Sequence, residues 1–207
     1  MIMLERFTTA ARKAVKDTGD LARADGSPAV AEEHLLGAVL AVSDCTAVAL
    51  LAGCGVGPGQ HPAVLAECRD FRRRGGIGRA EAEALRGLGI EVDRIIDRVE
   101  QIWGEGALLE PAAAEAGGRG RRKRGGSHDP RAHAAGGRLP WRPETRRILE
   151  TALRQAVDLG SRNVGTEHIL LGLLIREGCV RDVLTARGVT ALRVRTLIQA
   201  DGAGPTP

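Results

Sequence analysis

The sequence predicts an all-α fold built from two copies of one helical unit, and three observations support this prediction. The segments 32–40 (EEHLLGAVL) and 166–174 (TEHILLGLL) are similar, with four identities in nine positions, and lie 134 positions apart. The same offset aligns 7–50 with 141–184 without a gap and gives 11 identities in 44 positions, where unrelated sequences would give roughly 3. Aromatic residues make up 2% of the chain, and its apolar residues include many Ala and Leu, which favour helices.

The first copy is predicted to begin with a helix that Thr8 caps and that ends at the Asp25-Gly26 turn. Its apolar residues recur at helical spacing and form one stripe: Ala11, Ala14, Val15, Leu21 and Ala22. A second helix is expected from Glu32 to about Val42 and a third over 46–52. The cluster Gly53-Cys54-Gly55 is typical of a helix end.

The segment 35–56 contains a single charged residue, Asp44, and has the length of a membrane span. The corresponding segment of the second copy argues against a span because it carries five charges: Arg176, Glu177, Arg181, Asp182 and Arg187. We therefore interpret Ser43 and Asp44 as a break between two short core helices, and we expect no membrane partner.

About 34 residues, 55–88, are interpreted as an insert in the first copy. Gly55-Val56 and Gly89-Ile90 both resemble the junction Gly188-Val189 that precedes the last helix of the second copy. Within the insert, the composition predicts helices over 62–73 and 79–85, which we expect to form a hairpin packed on the first copy. The first domain is thus predicted to comprise residues 1–104.

Residues 105–140 are rich in Gly, Ala, Pro and Arg, and we expect a flexible linker there. Residues 117–138 include seven basic residues and a single acid, a net charge of +6. The rest of the chain therefore has a net charge of about −2 and lacks the basic folded surface of a DNA-binding domain. The cluster 119–124 could contact nucleic acid, an acidic partner or a membrane surface, although a solvated tether is the simpler reading. The sequence Ser127-His128-Asp129 contains the residue types of a hydrolase catalytic triad. Adjacent residues in a flexible loop cannot hold the relay geometry that such a triad requires.

The second copy is predicted over 141–200, with a disordered tail at 201–207. Pro143 and Glu144 form a favourable first helical turn. Gly160 corresponds to Gly26 of the first copy. Thr166 is predicted to cap the helix that follows Gly160, and Thr190 is predicted to cap the last helix, which is expected to run to about Ala200.

The four cysteines, Cys45, Cys54, Cys68 and Cys179, form no CxxC pair and are expected to be small buried thiols. No grouping with metal-ligand spacing accompanies them or the histidines, so we predict neither a metal nor another cofactor. The segment Met1 to Leu4 is too short for a secretory signal, and we expect a cytoplasmic protein.

The repeated motif resembles the N-terminal domain of the Clp unfoldases, a tandem repeat in which a helix of the (T/E)EHLLLGLL type follows an F-T-x-x-A-R/K start. Residues 7–12 (FTTAAR) are similar to that start, and 164–178 (VGTEHILLGLLIREG) is the better match of the two motif segments. The resemblance covers about 150 of the 207 positions and implies a double Clp-N repeat.

In this family the domain binds protein substrates, adaptors and, in some members, phosphorylated arginine. The resemblance implies that in the first copy the carboxylate of Glu33 receives the guanidinium while Thr8, with nearby amides, holds the phosphate. In the second copy it implies the carboxylate role for Glu167. The second copy departs from the pattern because Arg142 replaces the threonine. The alternative for both glutamates is stabilisation of a helix N-terminus. We expect His34 and His168 to be buried packing or capping residues.

No GxxxxGK[ST], GxSxG or HExxH motif occurs in the sequence, so we expect neither ATPase nor hydrolase activity. The expected protein is a non-enzymatic, free-standing domain that recruits partners to a Clp protease. Two alternatives are open. One is a decoy that competes for the same ligands, including peptide-like small molecules. The other, less favoured, is a nucleic-acid or regulatory protein that acts through the basic linker.

Overall fold

The computed structural model describes residues 4–104 and 139–202, and within them all regular secondary structure is helical. These residues form two compact units. The first contains the described parts of Met1–Cys68 and Leu139–Pro207, and the second contains those of Arg69–Arg138. The predicted all-α class is confirmed.

The first unit contains both copies of the repeat. Its helices in the first copy are α1 (Thr9–Ala24), α2 (Glu32–Leu40) and α3 (Thr46–Gly53), followed by α4 (His61–Arg73), which crosses the boundary between the units at Cys68. The second copy contributes α7 (Pro143–Asp158), α8 (Thr166–Ile175), α9 (Cys179–Ala186) and α10 (Ala191–Gly202). The helices α5 (Arg79–Gly87) and α6 (Val92–Trp103) belong to the second unit.

The two copies have matching local structure, as the 134-residue offset predicts. The helices α1 and α7 have 16 residues each, and α3 and α9 have 8 each. Gly26 and Gly160 follow α1 and α7 with φ values of 66° and 69°, a region that glycine occupies without steric cost. Thr8 caps α1 by accepting a hydrogen bond from the Ala11 amide at 3.2 Å, and Thr190 caps α10 in the same way through the Arg193 amide. Both capping predictions are confirmed.

The core of the first unit is built by contacts within each copy and by contacts that cross between the copies. Within each copy the first two helices pack together, α1 on α2 and α7 on α8, while α3 packs on α8 and α2 packs on α9. The largest side chains buried at these contacts are leucine, isoleucine and one phenylalanine, and they include Phe7, Leu35, Leu36, Ile148, Leu149, Leu170 and Leu171. Removal of this apolar surface from water is the main source of stability. Each copy completes the core of the other.

The apolar segment 35–56 is divided between α2 and α3, with the predicted break at Ser43 and Asp44. Among the described residues, no helix is both long and apolar enough to span a membrane. All four cysteines are buried free thiols, as predicted.

The two helices predicted within the insert are observed as α4 and α5. The first half of α4 belongs to the first unit, where Leu65 lies near Gly37 of α2 and Glu67 forms an ion pair with Arg187 at the end of α9. Similarly, α10 packs against α8 and α3, the counterparts of α2 and α9. The first half of α4 therefore contacts α2 and the end of α9, whereas α10 packs on their counterparts. The insert boundaries at 55 and 88 stay a prediction.

The second unit has a small apolar cluster of Ala82, Val92 and Ile96, against which Ile77 and Leu85 pack. Ion pairs on its surface join α6 to the end of α4. Arg73 contacts Asp97 at 2.8 Å and Glu100 at 2.7 Å, and Arg74 contacts Asp93 at 2.8 Å. Such exposed pairs add about 0–1 kcal/mol each.

Several sequence predictions fall on residues outside the described ranges. These are the linker up to residue 138, the basic cluster at 119–124, the Ser127-His128-Asp129 sequence and the tail from residue 203. The second domain, predicted at 141–200, lies within the described residues, and its boundaries also stay a prediction.

Candidate functional site at the motif helices

Each motif helix has a histidine as its third residue, and this histidine caps the first turn of its own helix. His34 is 4% exposed, and its Nδ1 accepts a hydrogen bond from the Ala31 amide at 3.0 Å. His168 is 1% exposed, and its Nδ1 accepts from the Gly165 amide at 2.9 Å. The histidine thus supplies one half of a capping box, the third-residue side chain that accepts from the N-cap amide, while Ala31 and Gly165 have no polar side chain to supply the other half. The prediction that both histidines are buried capping residues is confirmed.

The segments that precede the motif helices pair across the copies. Phe7 forms a bridge with Val164, and Val30 forms the equivalent bridge with Trp141. The Thr8 amide donates to the Val164 carbonyl at 2.9 Å, and the Arg142 amide donates to the Val30 carbonyl at 3.0 Å. The backbone therefore places Thr8 beside the motif of the second copy and Arg142 beside the motif of the first.

The first residue of each motif helix makes a second kind of contact between the copies. Thr166 was predicted to cap α8, but this prediction is wrong because Gly165 is the N-cap residue and Thr166 lies inside the helix. The Thr166 hydroxyl instead accepts a hydrogen bond from the Ala47 amide at 3.2 Å, in the first turn of α3. This acceptor satisfies one of the amides that a helix N-terminus leaves unpaired.

The counterpart of Thr166 in the first copy is Glu32, which lies at the N-terminus of α9. Burial raises the pKa of its carboxyl, as does nearby Glu33, while hydrogen bonds from the Cys179 thiol and the Cys179 and Val180 amides offset part of the rise. Oε2 of Glu32 has no hydrogen-bond partner among the described residues. A negative side chain here favours the helix N-terminus, but its burial opposes the charge.

The two glutamates predicted to bind a guanidinium differ in exposure. Glu33 is buried, with 4% of the residue exposed, whereas 18% of the Glu167 side chain is exposed. Burial raises the pKa of Glu167, but the neighbouring His168 ring, the backbone amide of Glu167 and Thr46 together outweigh this effect. The pKa therefore lies below its ordinary value. Glu167 is thus a carboxylate that stays charged and can be reached from solvent.

Thr8 and Arg142 are both half-buried and stand at the starts of equivalent helices, α1 and α7. The hydroxyl of Thr8 is an N-cap, so the remaining amides of the first turn of α1 are available to an anion. Arg142 cannot accept a hydrogen bond from an amide, and no side-chain cap is present at α7. The two starts therefore offer different chemistry, a hydroxyl with amides in one copy and a guanidinium in the other.

Glu32 and the pair Cys68 and Cys179 are the residues near the motif that sequence reasoning missed. The hydrogen bond with the Cys68 thiol, followed by burial and the charge of Glu32, raises the pKa of the Cys179 thiol. The alignment of the copies pairs Glu32 with Thr166 and Cys45 with Cys179, but it carries no signal for contacts that cross between them. Within the described ranges, no three His, Cys, Asp or Glu side chains are placed to hold a metal ion.

Glu32→Gln and Glu167→Gln should change the pH dependence of stability in opposite directions. The folded-state pKa of Glu32 is raised above its ordinary value of 4.5, so its stabilising contribution is complete below that value and is lost as pH rises through the folded pKa. Glu32→Gln should therefore gain stability relative to the parent between about pH 4 and pH 7. The pKa of Glu167 is lowered, so Glu167→Gln should lose relative stability over the same interval.

Urea unfolding at these two pH values measures both effects, and each variant serves as the control for the other. If the stability of both variants relative to the parent changed in the same direction with pH, the opposite pKa shifts of Glu32 and Glu167 would be contradicted.

The family model and the related sequences each match only part of the chain. Residues 6–76 match the model of the Clp repeat (R) N-terminal domain. A stretch of 61 residues is 41% identical to the ATP-dependent Clp protease ATP-binding subunit ClpA homolog of Trieres chinensis. It is 39% identical to chaperone protein ClpC2, chloroplastic, of Oryza sativa subsp. japonica and to chaperone protein ClpC1, chloroplastic, of Arabidopsis thaliana. Each match covers 29% of this chain and only 7% of the relative.

Among solved structures, the N-terminal domain of the caseinolytic protease associated chaperone ClpD from Arabidopsis thaliana aligns with 96% of this chain and 97% of its own, at 18% identity and a TM-score of 0.45. The family match includes Thr8, Glu32, Glu33 and His34. Residues 6–76 of this chain are therefore similar to the Clp repeat (R) N-terminal domain.

Proposed function

We propose that this chain is a non-catalytic binding domain that recognises protein substrates or adaptors for Clp-dependent proteolysis, including proteins marked by phosphorylated arginine. The observation that supports this proposal most directly is the Clp repeat match over 6–76, which contains Thr8 and Glu33, two of the four residues predicted to bind. Its relatives include a protein named as an ATP-binding subunit of an ATP-dependent Clp protease. A domain that recruits substrates or adaptors would be consistent with a relative that belongs to a Clp protease.

The local chemistry at the motif helices supports a ligand that combines a cation with an anion. A carboxylate such as Glu167 can pair with a planar guanidinium through two parallel hydrogen bonds. The hydroxyl of Thr8 and the amides at the start of α1 can hold a phosphate. The backbone hydrogen bond from Thr8 to Val164 brings these groups into one region of the first unit. Phosphoarginine carries both groups on one side chain.

The first copy would provide a second site with Glu33 and Arg142, which the Val30 contacts bring into the same region. Here a guanidinium takes the place of the hydroxyl, and it can pair with a phosphate directly. Burial of Glu33 means that this carboxylate must become accessible before a ligand can reach it. We therefore expect the two sites to differ in affinity.

Calorimetric titration with phosphoarginine, and with a peptide that contains it, tests the proposal. We expect saturable binding that unmodified arginine does not reproduce, because the phosphate contacts would be missing. Glu167→Ala and Glu33→Ala should each remove a carboxylate partner and lower the affinity of their own site by about tenfold, the loss expected for one charge-assisted pair. Glu144→Ala, which removes an exposed acid from the first turn of α7, is the matched control and should bind like the parent.

Thr8→Ala combined with each glutamate variant shows which carboxylate shares a site with Thr8. Coupled losses identify the residues of one site, whereas additive losses indicate separate sites. Circular dichroism confirms that each variant is folded. If the folded parent did not bind phosphoarginine, the proposal of this ligand would be wrong. Both glutamates would then be interpreted as residues that stabilise a helix N-terminus.

A further inference from the structure

Exposed hydrophobic side chains are concentrated in the second unit. Of the nine large hydrophobic residues that are exposed in the described part of the chain, five lie within a stretch of 16 residues. They are Leu88, Ile90, Ile95, Ile102 and Trp103, with exposures of 78%, 42%, 54%, 63% and 77%. All five follow the family match, which ends at residue 76. A cluster of this kind indicates a binding surface, unlike a single exposed leucine.

The helix α6 presents apolar residues on two sides. Val92 and Ile96 are buried in the small cluster of the second unit, so they account for one side. Ile95 and Ile102 lie seven residues apart and therefore share another side, where both are exposed. Arg98 stands between them, three residues after one and four before the other. We call Ile95, Arg98 and Ile102 the α6 outer face.

The positive charge on this face has no acidic partner among residues 4–104 and 139–202. Arg98 is exposed and donates a hydrogen bond to the Gln101 side chain at 3.4 Å, and it forms no ion pair among the described residues. The acids on the other side of α6 are already engaged, since Asp93, Asp97 and Glu100 contact Arg73 and Arg74. A partner that covered the two isoleucines would also desolvate Arg98, and a carboxylate would then be needed to pair with it.

We propose that the α6 outer face binds an amphipathic helical segment of a partner protein. This segment presents two apolar residues one heptad apart and a carboxylate beside them. The apolar pair packs on Ile95 and Ile102, as in other complexes where a helix binds an apolar surface, and the carboxylate pairs with Arg98. This surface goes beyond the proposed phosphoarginine site and shares no residue with it.

Two other occupants fit the charges less well. A second copy of this chain that paired its α6 in antiparallel orientation, with Ile95 facing Ile102, would bring two Arg98 side chains together at the centre. An anionic membrane would meet the four acids Glu91, Asp93, Asp97 and Glu100 but only two arginines over 91–103, whereas helices that bind such membranes are usually basic.

The test uses the full chain with Trp141→Phe, so that Trp103 is its only tryptophan and reports on the end of α6. The probe is a synthetic helical peptide with two leucines one heptad apart and a glutamate between them. A matched peptide carries lysine in place of the glutamate. We expect the glutamate peptide to shift Trp103 emission to shorter wavelength in a saturable manner, because the indole leaves water.

Substitutions on the surface then assign the contacts. Ile95→Ala with Ile102→Ala should weaken binding of the glutamate peptide by about tenfold or more, since exposed anchors dominate such interfaces. Arg98→Glu should reverse the preference between the two peptides, by roughly fivefold in each direction. Leu192→Ala, which removes an equally exposed side chain from α10, is the control and should have no effect.

Three results would overturn the proposal. The first is the absence of a saturable shift with the glutamate peptide, or equal binding of both peptides by the parent and by Arg98→Glu. The second is a dimer by light scattering that Ile95→Ala with Ile102→Ala dissolves, which would make a second copy the occupant. The third is a Trp103 shift with anionic phospholipid vesicles but not with the peptides. Phosphoarginine titration of the same variants keeps this test separate from that of the proposed function.

Discussion

Gly172→Ala is expected to lower the free energy of unfolding by about 1–3 kcal/mol, the usual effect of overpacking a tight core. A Cβ at this position would lie 2.6 Å from the Ile148 carbonyl oxygen, 3.2 Å from Ile148 Cγ2 and 3.3 Å from the Ala152 nitrogen. Two of these atoms belong to the backbone of α7 and cannot move aside as a flexible side chain can. The helices α7 and α8 would have to separate, and the well-packed core around Leu149 and Leu170 would loosen.

Gly37→Ala in α2 provides the matched control. A Cβ there would meet only side-chain atoms of Leu21 and Leu65, at 3.5–3.8 Å. Because alanine is the better helix former, this variant should be unchanged or more stable by up to about 1 kcal/mol. Urea unfolding of both variants measures the difference. A Gly172→Ala protein as stable as the parent would mean that α7 and α8 do not approach as closely as the structure shows.

The position of Gly172 also illustrates what the sequence can predict. The repeat alignment pairs Gly172 with Ala38, which is fully buried in α2. One copy thus accommodates a methyl group at this crossing and the other does not, although both helices were predicted from the same motif. Helix class and approximate bounds follow from local periodicity and caps, whereas the separation of two packed helices depends on side chains that are far apart in sequence.

The error at Thr166 has the same origin. The preference of threonine for helix starts is a local signal and pointed to α8. The hydroxyl serves a helix start, but that of α3, whose Ala47 amide is 119 residues away. No periodicity in a single copy can reveal a contact of this kind. The placement of Glu33, which is buried at an equally polar motif position, was beyond sequence reasoning for the same reason.

These crossed contacts connect the fold to the candidate site. The motif of the second copy receives Thr8 from the first, and the motif of the first copy receives Arg142 from the second. Each region that could bind a ligand is therefore built from both copies. A change in the packing between the copies should alter both regions, and this makes the residues that hold the copies together the most informative to replace.

Phe7→Ala is expected to have the largest effect of any single change considered, about 3–5 kcal/mol of lost stability, as is usual for truncation of a buried phenylalanine. Phe7 is 2% exposed and its backbone forms the bridge with Val164. The bridge would survive the substitution, but the cavity would lie where the two copies meet. Trp141→Ala, its counterpart in the repeat, should be milder because Trp141 is only half-buried.

Thermal and urea unfolding of the two variants would measure this inequality. We expect Phe7→Ala to lower the melting temperature far more than Trp141→Ala, even though tryptophan is the larger side chain. Equal losses would contradict the difference in burial between the two aromatic residues. A selective loss of phosphoarginine binding in a Phe7→Ala protein that remained folded would instead show that the main role of Phe7 is to hold Thr8 beside the motif of the second copy.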